Sequence, residues 1–491
     1  MKCSLFLSAF LLCALADAQS DQELVEKTVT KNSIAAHLKF ISSDALEGRD
    51  TPSRGLDVAA EYIRTQLEMM GVRSFDAYPD YYQPVKFTKI YVPDVAEVVI
   101  GKQSFIPGGD LIMINGRDME WSGDFIFLEY ATPEELEKAD VKGKMIVTNA
   151  GNGVDVNPIY WLKLASVKRA AAYKKGAVGV IELYNTIRLP WNFLLAYLNK
   201  ARVVLDQGLD SDAIPTIWLD NTDRKSRKVF KDKKEPLSVT IRGAKSEDFI
   251  SHNVVGYVAG NDPKLKDEYV VYSAHYDHVG IGRADATGDS IYNGTRDNAV
   301  GTVTVMEAAK NLTQFPTARS SLFVLFVGEE KGLLGSEWFV DHSPIGLDQM
   351  VFCFNSDNGG YNDTTIATVI GLERTTAQEH LTRALSTYGL TASNDENFKE
   401  QNLFDRSDNV NFAVKGIPAP CFSMGVAQFD EVLMRTYHQP ADEFDTINMD
   451  YLFNFYRSYV LAGRLIGNAP EAPFWIQGDK YYKGGVQLYG K

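Results

Sequence analysis

A three-layer α/β/α unit on a mixed central sheet, interrupted by an inserted β-rich α+β segment, is the fold class this sequence predicts. Three observations point to it. From Asn253 onward, apolar β-rich runs alternate with helix-length amphipathic stretches, the rhythm of strand–helix units in a parallel or mixed sheet covered on both faces. Between about Asp94 and Asp248 the texture changes to short strands and turns, then changes back. The run YVVYSAHYDHVG (Tyr269–Gly280) is apolar and then stops at two histidines and an aspartate. A buried strand thus delivers polar side chains to its own end, where open α/β sheets bind ligands.

Composition bounds the class. The chain has 491 residues and a formal net charge of −14, from 64 acidic against 50 basic side chains, which excludes non-specific nucleic-acid binding. At about 150 residues per domain the length suits two or three domains. The boundaries read as 1–18, a leader; 19–93, the N-terminal part of the main unit; 94–248, the insert; 249–470, the main sheet; and 471–491, a C-terminal tail.

The leader reads MKCSLFLSAFLLCALADA: a Lys2 n-region, an apolar stretch Leu5–Leu15 and a small-residue cleavage site at Ala16-Asp17-Ala18. Export to a periplasmic or extracellular location is therefore expected, with a mature chain from Gln19 and no transmembrane anchor. The alternative, a membrane anchor, needs about 20 apolar residues. Cleavage removes Cys3 and Cys13 and leaves Cys353 and Cys421 in apolar strand-like runs, which predicts buried free thiols.

Elements follow in order. Asn32 or Ser33 is placed to cap a helix carrying Ile34, Leu38 and Ile41, and Asp57–Met70 repeats apolar residues at three and four. Between them SSDALEGRDTPSRG reads as a loop. Within the insert ADVKGKMIV turns into a strand, a helix and the run Ala177–Leu183 follow, and Leu189–Leu205 reads as a packed helix in preference to a substrate lid. The main sheet takes strands Asn253–Val258, Tyr269–Ser273, Leu322–Val327, Met350–Phe354 and Ala419–Met424, with helices over Asn298–Leu312, after Glu330, and over Tyr451–Ile466.

Polar groups recur where those strands end. His275 and Asp277, at i and i+2 of an extended segment, point to one side; the bland alternative is a solvated strand end. Asp297 precedes a helix, where a capping role is equally open. Glu329 and Glu330 are adjacent carboxylates with no simple capping explanation, Asp357 closes another strand, and His438 is one of 7 histidines, in a proline-braced loop. Two histidines with three or more carboxylates suit a borderline ion such as zinc.

These residues resemble the co-catalytic dizinc aminopeptidases, a peptidase family that includes the glutamate carboxypeptidase II group. The resemblance runs through H-x-D-x-x-G (His275–Gly280), D-N-x-x-G (Asp297–Gly301), GEEKGLLGS (Gly328–Ser336), Asp357 and YHQPAD (Tyr437–Asp442). It implies a zinc-peptidase fold, two Zn2+ per chain and peptide substrates. Carried over, Asp297 bridges the two ions, His275 and Asp357 complete one site, and Glu330 and His438 the other. Glu329 becomes the general base and Asp277 the carboxylate that orients His275. Tyr437 either assists the substrate carbonyl or packs. DVKGKMIV with AAAYKKGAVGVIELYN is similar to the protease-associated insert of many members.

Two departures stand out: Arg296 before Asp297, expected to turn out to solvent, and Asp408-Asn409 where many members have Asp-His. The function implied is an exported zinc aminopeptidase. The alternatives are a carboxypeptidase or dipeptidase on the same centre, which needs a cationic cluster for the substrate carboxylate, and a non-catalytic binding protein, which loss of a ligand would mark. Asn293, Asn311 and Asn362 open glycosylation sequons that matter only if a eukaryote secretes the protein.

Overall fold

The computed structural model describes residues 19–491 except 155–157, 187–188, 207–213, 224 and 233–234. The leader expected over 1–18 lies outside the described residues. Residues 84–251 form one compact unit, and the flanking residues before 84 and after 251 form the other.

In the flanking unit the strands are β1 (Ser246–Val258, entering from the insert), β2 (Tyr269–His275), β3 (Ser320–Phe326), β4 (Met350–Ser356), β5 (Ile366–Ile370), β6 (Thr391–Ser393) and β7 (Cys421–Met424). They lie side by side as β6-β5-β7-β4-β2-β3-β1. β2 pairs parallel with both β3 and β4, β4 with β7 and β5 with β6, while β1 on β3 and β5 on β7 are antiparallel. The sheet is therefore mixed, and its centre is the parallel trio β3-β2-β4.

Period-two alternation sorts the side chains of that trio. Leu322, Val324 and Phe326 join Val271, Cys353, Phe339 and Phe412 in one apolar cluster. Tyr272, Phe323 and Phe354 face the other way, and the Phe354 ring stacks on Tyr459 at 4.1 Å. Helix α4 (Gly301–Gln314) and the long α6 (Met449–Asn468) cover this second face; α5 (Leu334–Asp341) covers the first with Phe339 and Val340. Each such side chain, taken fully out of water, contributes about 1.5–3 kcal/mol. The tail belongs to the same packing, since Trp475 is buried and donates its indole N–H to Gly416 O at 2.9 Å.

The N-terminal helices are α1 (Asp21–Thr28), α2 (Lys31–Ile41) and α3 (Arg54–Met70). The α2 cap is Thr30, whose hydroxyl accepts from Ser33 N at 3.2 Å; Asn32 and Ser33 lie inside the first turn. On α2, His37 is buried with Nδ1 2.9 Å from Tyr62 OH. Burial, helped by Lys310, lowers its pKa from 6.5 to about 4. The unfolded chain therefore binds the extra proton between those values, and this contribution to stability is lost as pH falls from about 6.5 towards about 4. It amounts to at most roughly 3 kcal/mol. In urea unfolding across that window, His37→Gln is expected to flatten the pH dependence; an unchanged slope would assign it to other groups.

Among its described residues the unit 84–251 holds two sheets of its own. In one, Phe125–Phe127, Met145–Asn149, Gly179–Tyr184 and Thr216–Asp220 are parallel, with Leu111–Asn115 antiparallel at the edge. The other is antiparallel, in the order Gln103–Phe105, Val95–Ile100, Leu237–Arg242, Met119–Gly123. On the mainly parallel sheet Glu182 forms a buried pair with Lys168 of the helix Pro158–Lys174 at 2.5 Å, and Trp218 donates to the same carboxylate at 2.6 Å. The helix expected over Leu189–Leu205 ends early: Trp191–Leu198 is helical, and Arg202–Leu205 is a strand pairing antiparallel with Phe87–Ile90. The β-branched pair Val203-Val204 suits a strand once that partner is present.

Candidate metal centre

His275 is the last residue of β2, and its place is set from three directions. Its carbonyl accepts from Thr302 Oγ1 at 2.9 Å, its Nδ1 lies 3.1 Å from Asp277 O, and its Nε2 faces Asp357 Oδ1 at 3.2 Å. Asp297 Oδ1 stands 3.4 Å from the same Nε2, and Glu329 Oε2 3.9 Å. The other oxygen of Asp297, Oδ2, lies 3.0 Å from His438 Nε2, which is also 3.4 Å from Glu330 Oε1. One carboxylate thus divides its two oxygens between two imidazoles. Around it the donors fall into two groups with potential ligand atoms within 4.8 Å of one another: His275, Glu329 and Asp357, and His278, Asp297, Glu330 and His438.

Local backbone makes this convergence. Asp297 does not cap α4; it sits in an irregular turn, Thr295–Val300, at φ −111 and ψ 94, and Asn298 Oδ1 accepts from Gly301 N at 3.0 Å in its place. Asn298 also donates to Ser356 O at 2.9 Å, tying the start of α4 to the end of β4. A Cβ on Gly301 would meet Ser356 O at 2.3 Å, so only glycine permits that approach. His438 is held at φ 51, a left-handed conformation that non-glycine residues rarely adopt and that clusters at functional sites. Tyr437 stacks on its ring at 4.2 Å.

Asp277 is fully buried, and its carboxylate does more than back His275, from whose Nδ1 it stands 3.7 Å. Oδ1 accepts from Glu329 N at 3.1 Å and Oδ2 from Thr51 Oγ1 at 3.1 Å. It thereby fixes the backbone that carries the adjacent glutamates.

The two glutamates sit in opposed fields. Burial, then the charges of Asp357, Glu330 and Asp408 against that of His275, push Glu329 well above the usual carboxylate range. Burial and Asp297 also press Glu330 upward, but hydrogen bonds from His278 and His438 prevail and hold it at about 2. On the imidazole side burial opposes charge, yet Glu329 and Asp357 keep His275 well above its ordinary value. In Asp408, burial raises the carboxyl to about 7; Oδ1 accepts from Ser336 at 2.5 Å and Oδ2 has no hydrogen-bond partner.

The donor set fits a metal. Among the described residues, the ion pairs of Asp297, Glu329, Glu330 and Asp357 are all with histidines. So much buried negative charge calls for cations, and mixed imidazole and carboxylate donors suit zinc.

Residues 253–460 match the model of peptidase family M28. Over this segment the chain is similar to that family. Among curated proteins it is 30% identical over 213 residues to Aminopeptidase YwaD of Bacillus subtilis (strain 168), covering 41% of this chain and 42% of the relative. It is 27% identical over 210 residues to Aminopeptidase Y of Saccharomyces cerevisiae, covering 41% and 36%. The match thus spans about two fifths of the length of these relatives. Among solved structures an aminopeptidase from Aneurinibacillus sp. strain AM-1 aligns with TM-score 0.58 at 20% identity, over 92% of this chain and 97% of that one. At that identity the likeness is one of fold.

Residues 253–460 hold every candidate site residue read in the sequence, and the structure gives places to Arg296, Arg49 and His278 beside them. Arg296 corrects an expectation: it is 6% exposed, donating Nη1 to Asp442 Oδ1 at 2.7 Å and Nη2 to Thr446 O at 3.0 Å. Asp442 also accepts from the backbone N–H groups of Arg296 and Asp297, so the pair clamps the turn that bears Asp297. Arg49, read only as part of a loop, is fully buried and donates to the carbonyls of Tyr276 (2.9 Å), Asn293 (2.7 Å) and Gly294 (3.0 Å), joining the two chain segments that flank the centre. His278 faces Glu330 at 2.8 Å. A second histidine beside H-x-D was the available signal for it. Of the three sequons, Asn293 and Asn311 are buried with their amides engaged; Asn362 is half-buried, and its amide donates to Gln428 O at 2.7 Å.

Proposed function

We propose that this protein is an exported zinc aminopeptidase acting on the free N-termini of peptides, with two Zn2+ per chain. The observation that carries the reading is Asp297, whose two oxygens face the two imidazoles, His275 and His438, at 3.4 and 3.0 Å. In this reading His275 and Asp357 hold one ion with Asp297, and Glu330 and His438 hold the other. Zinc bound there acidifies water and polarises the substrate carbonyl.

The chain's own residues supply the rest. Glu329 takes the proton of the attacking water and returns one to the leaving amine. Substrate access is from the side of His438 and Asp357, whose side chains are 34% and 17% exposed, against 1% for His275. Tyr437 flanks that side; burial, then Asp297, pushes its phenol above the ordinary range, so it stays protonated and able to donate to a developing oxyanion.

Charge favours an ammonium over a carboxylate in the pocket. Three cations that the chain brings to this region are engaged internally: Arg49 by carbonyls, Arg296 by Asp442 and Lys331 by Asp50. A carboxypeptidase would have to use a fourth, the exposed Arg406, whose charge reaches Tyr437. All of the implied ligands and Glu329 are present, which counts against a purely binding role. The leader read over 1–18 supports export.

The test is kcat/KM for matched peptides with a free N-terminus, an acetylated N-terminus and an amidated C-terminus, using zinc-replete protein. Acetylation removes the ammonium and leaves its carboxylate partners unpaired, so it is expected to lower kcat/KM by at least roughly a hundredfold, while amidation is tolerated. Preference for the acetylated peptide would end the aminopeptidase reading, and cleavage of none would favour a binding protein.

A further inference from the structure

His278 has no part in the reading above, yet it faces the second group of donors. Its Nδ1 lies 2.8 Å from Glu330 Oε1, its side chain is fully buried, and its Nε2 has no hydrogen-bond partner. The ring meets that of His438 edge-on, centroids 5.4 Å apart at 81°. Its position is fixed from behind: His278 N donates to Arg49 O at 3.1 Å, and a Cβ on Gly294, at φ +53, would fall 2.5 Å from the imidazole.

Tautomer arithmetic decides what such a ring does. A neutral imidazole has one N–H. Placed on Nδ1, that proton meets an ionised carboxylate and leaves only a lone pair unmatched at Nε2. The other tautomer buries an N–H with nothing to accept it and sets two lone pairs face to face at 2.8 Å. The length argues against shared coordination as well. Two donors on a tetrahedral zinc at about 2.0 Å each stand about 3.3 Å apart, which the 3.4 Å between His438 Nε2 and Glu330 Oε1 matches and the 2.8 Å contact does not.

We propose that His278 is a positioning residue of the second zinc site: its Nδ1–H donates to Glu330 Oε1 and fixes the carboxylate that holds the ion there. The inference rests on the dizinc reading. Metal ligands held by such a partner typically lose 10–100-fold in metal affinity when it is removed.

The experiment is a zinc titration of the metal-stripped full-length chain against a chromophoric chelator, which resolves the two affinities without reference to turnover. In His278→Leu, which removes the donor at similar volume, the weaker-held or second ion is expected to lose about 10–100-fold in affinity while the first keeps its own. His278→Asn, whose amide nitrogen falls where Nδ1 was, is expected to restore binding to near the wild-type value. Should the Leu variant not fold by circular dichroism, His278→Gln, with its amide one carbon further out, serves as the variant lacking a donor at that position. Wild-type affinity for both ions without the donor would reduce His278 to packing and overturn the proposal. Equal losses in the Asn and Leu variants would overturn it too, because the imidazole itself would then be the ligand. Fewer than two zinc ions on the wild-type chain would instead overturn the dizinc reading on which the contact depends.

Discussion

Glu329→Gln is expected to lower kcat by roughly 10²–10⁴-fold, the usual scale for removing a general base, while the protein keeps about two zinc ions per chain. The substitution preserves shape and one oxygen and removes only the ability to carry a proton. Its neighbour shows why the two carboxylates differ. Glu330 is held ionised at about 2 by hydrogen bonds from His278 and His438 that outweigh burial and Asp297, the state a permanent ligand needs. Glu329 is driven the other way, chiefly by burial, and stands 3.9 Å from His275 Nε2, farther than Asp357 at 3.2 Å. A group whose surroundings favour neutrality, beside one whose surroundings favour charge, is the arrangement that separates proton carrier from ligand. Kinetics paired with elemental analysis decide it. Near-full turnover in the variant, or zinc lost in step with activity, would show that Glu329 is not the base.

Asp297→Asn is expected to weaken zinc binding at both positions, each by more than the ~10²-fold that loss of an outer partner costs. Burial works against this carboxylate, but hydrogen bonds from His275 and His438 keep it well below the usual range, so it is an anion shared between two donor groups. An amide offers one oxygen and turns its NH2 toward whichever imidazole the carboxylate oxygen had faced. His438→Ala provides the contrast, since it removes a donor from one group only and should spare the ion held by His275 and Asp357. Zinc titration after chelation reads both variants. Unaltered stoichiometry and affinity in Asp297→Asn would return the residue to a structural role in the turn before α4.

The sequence alone determined the layered fold and pointed to most of the side chains that the structure groups at the centre. Strand-length apolar runs that end in His275, Glu329 and Asp357 are legible because burial on both faces of a parallel sheet demands continuous hydrophobicity, and the sudden polar residues then mark the strand ends. Segments near the change of texture were harder: Leu189–Leu205 carries enough apolar residues for a helix, and only its pairing with Phe87–Ile90 made the last four residues a strand. Whether Asp297 caps or bridges was open in the sequence, because an aspartate before a helix serves either purpose. The tertiary structure ruled out the cap and brought His275 and His438, which are 163 positions apart, to opposite oxygens of one carboxylate. The same holds for Arg296, Arg49 and His278. A charged side chain's partner lies across the fold, and local pattern carries no record of it; Asp442 takes up a guanidinium expected in solvent, and Glu330 gives a second histidine its task.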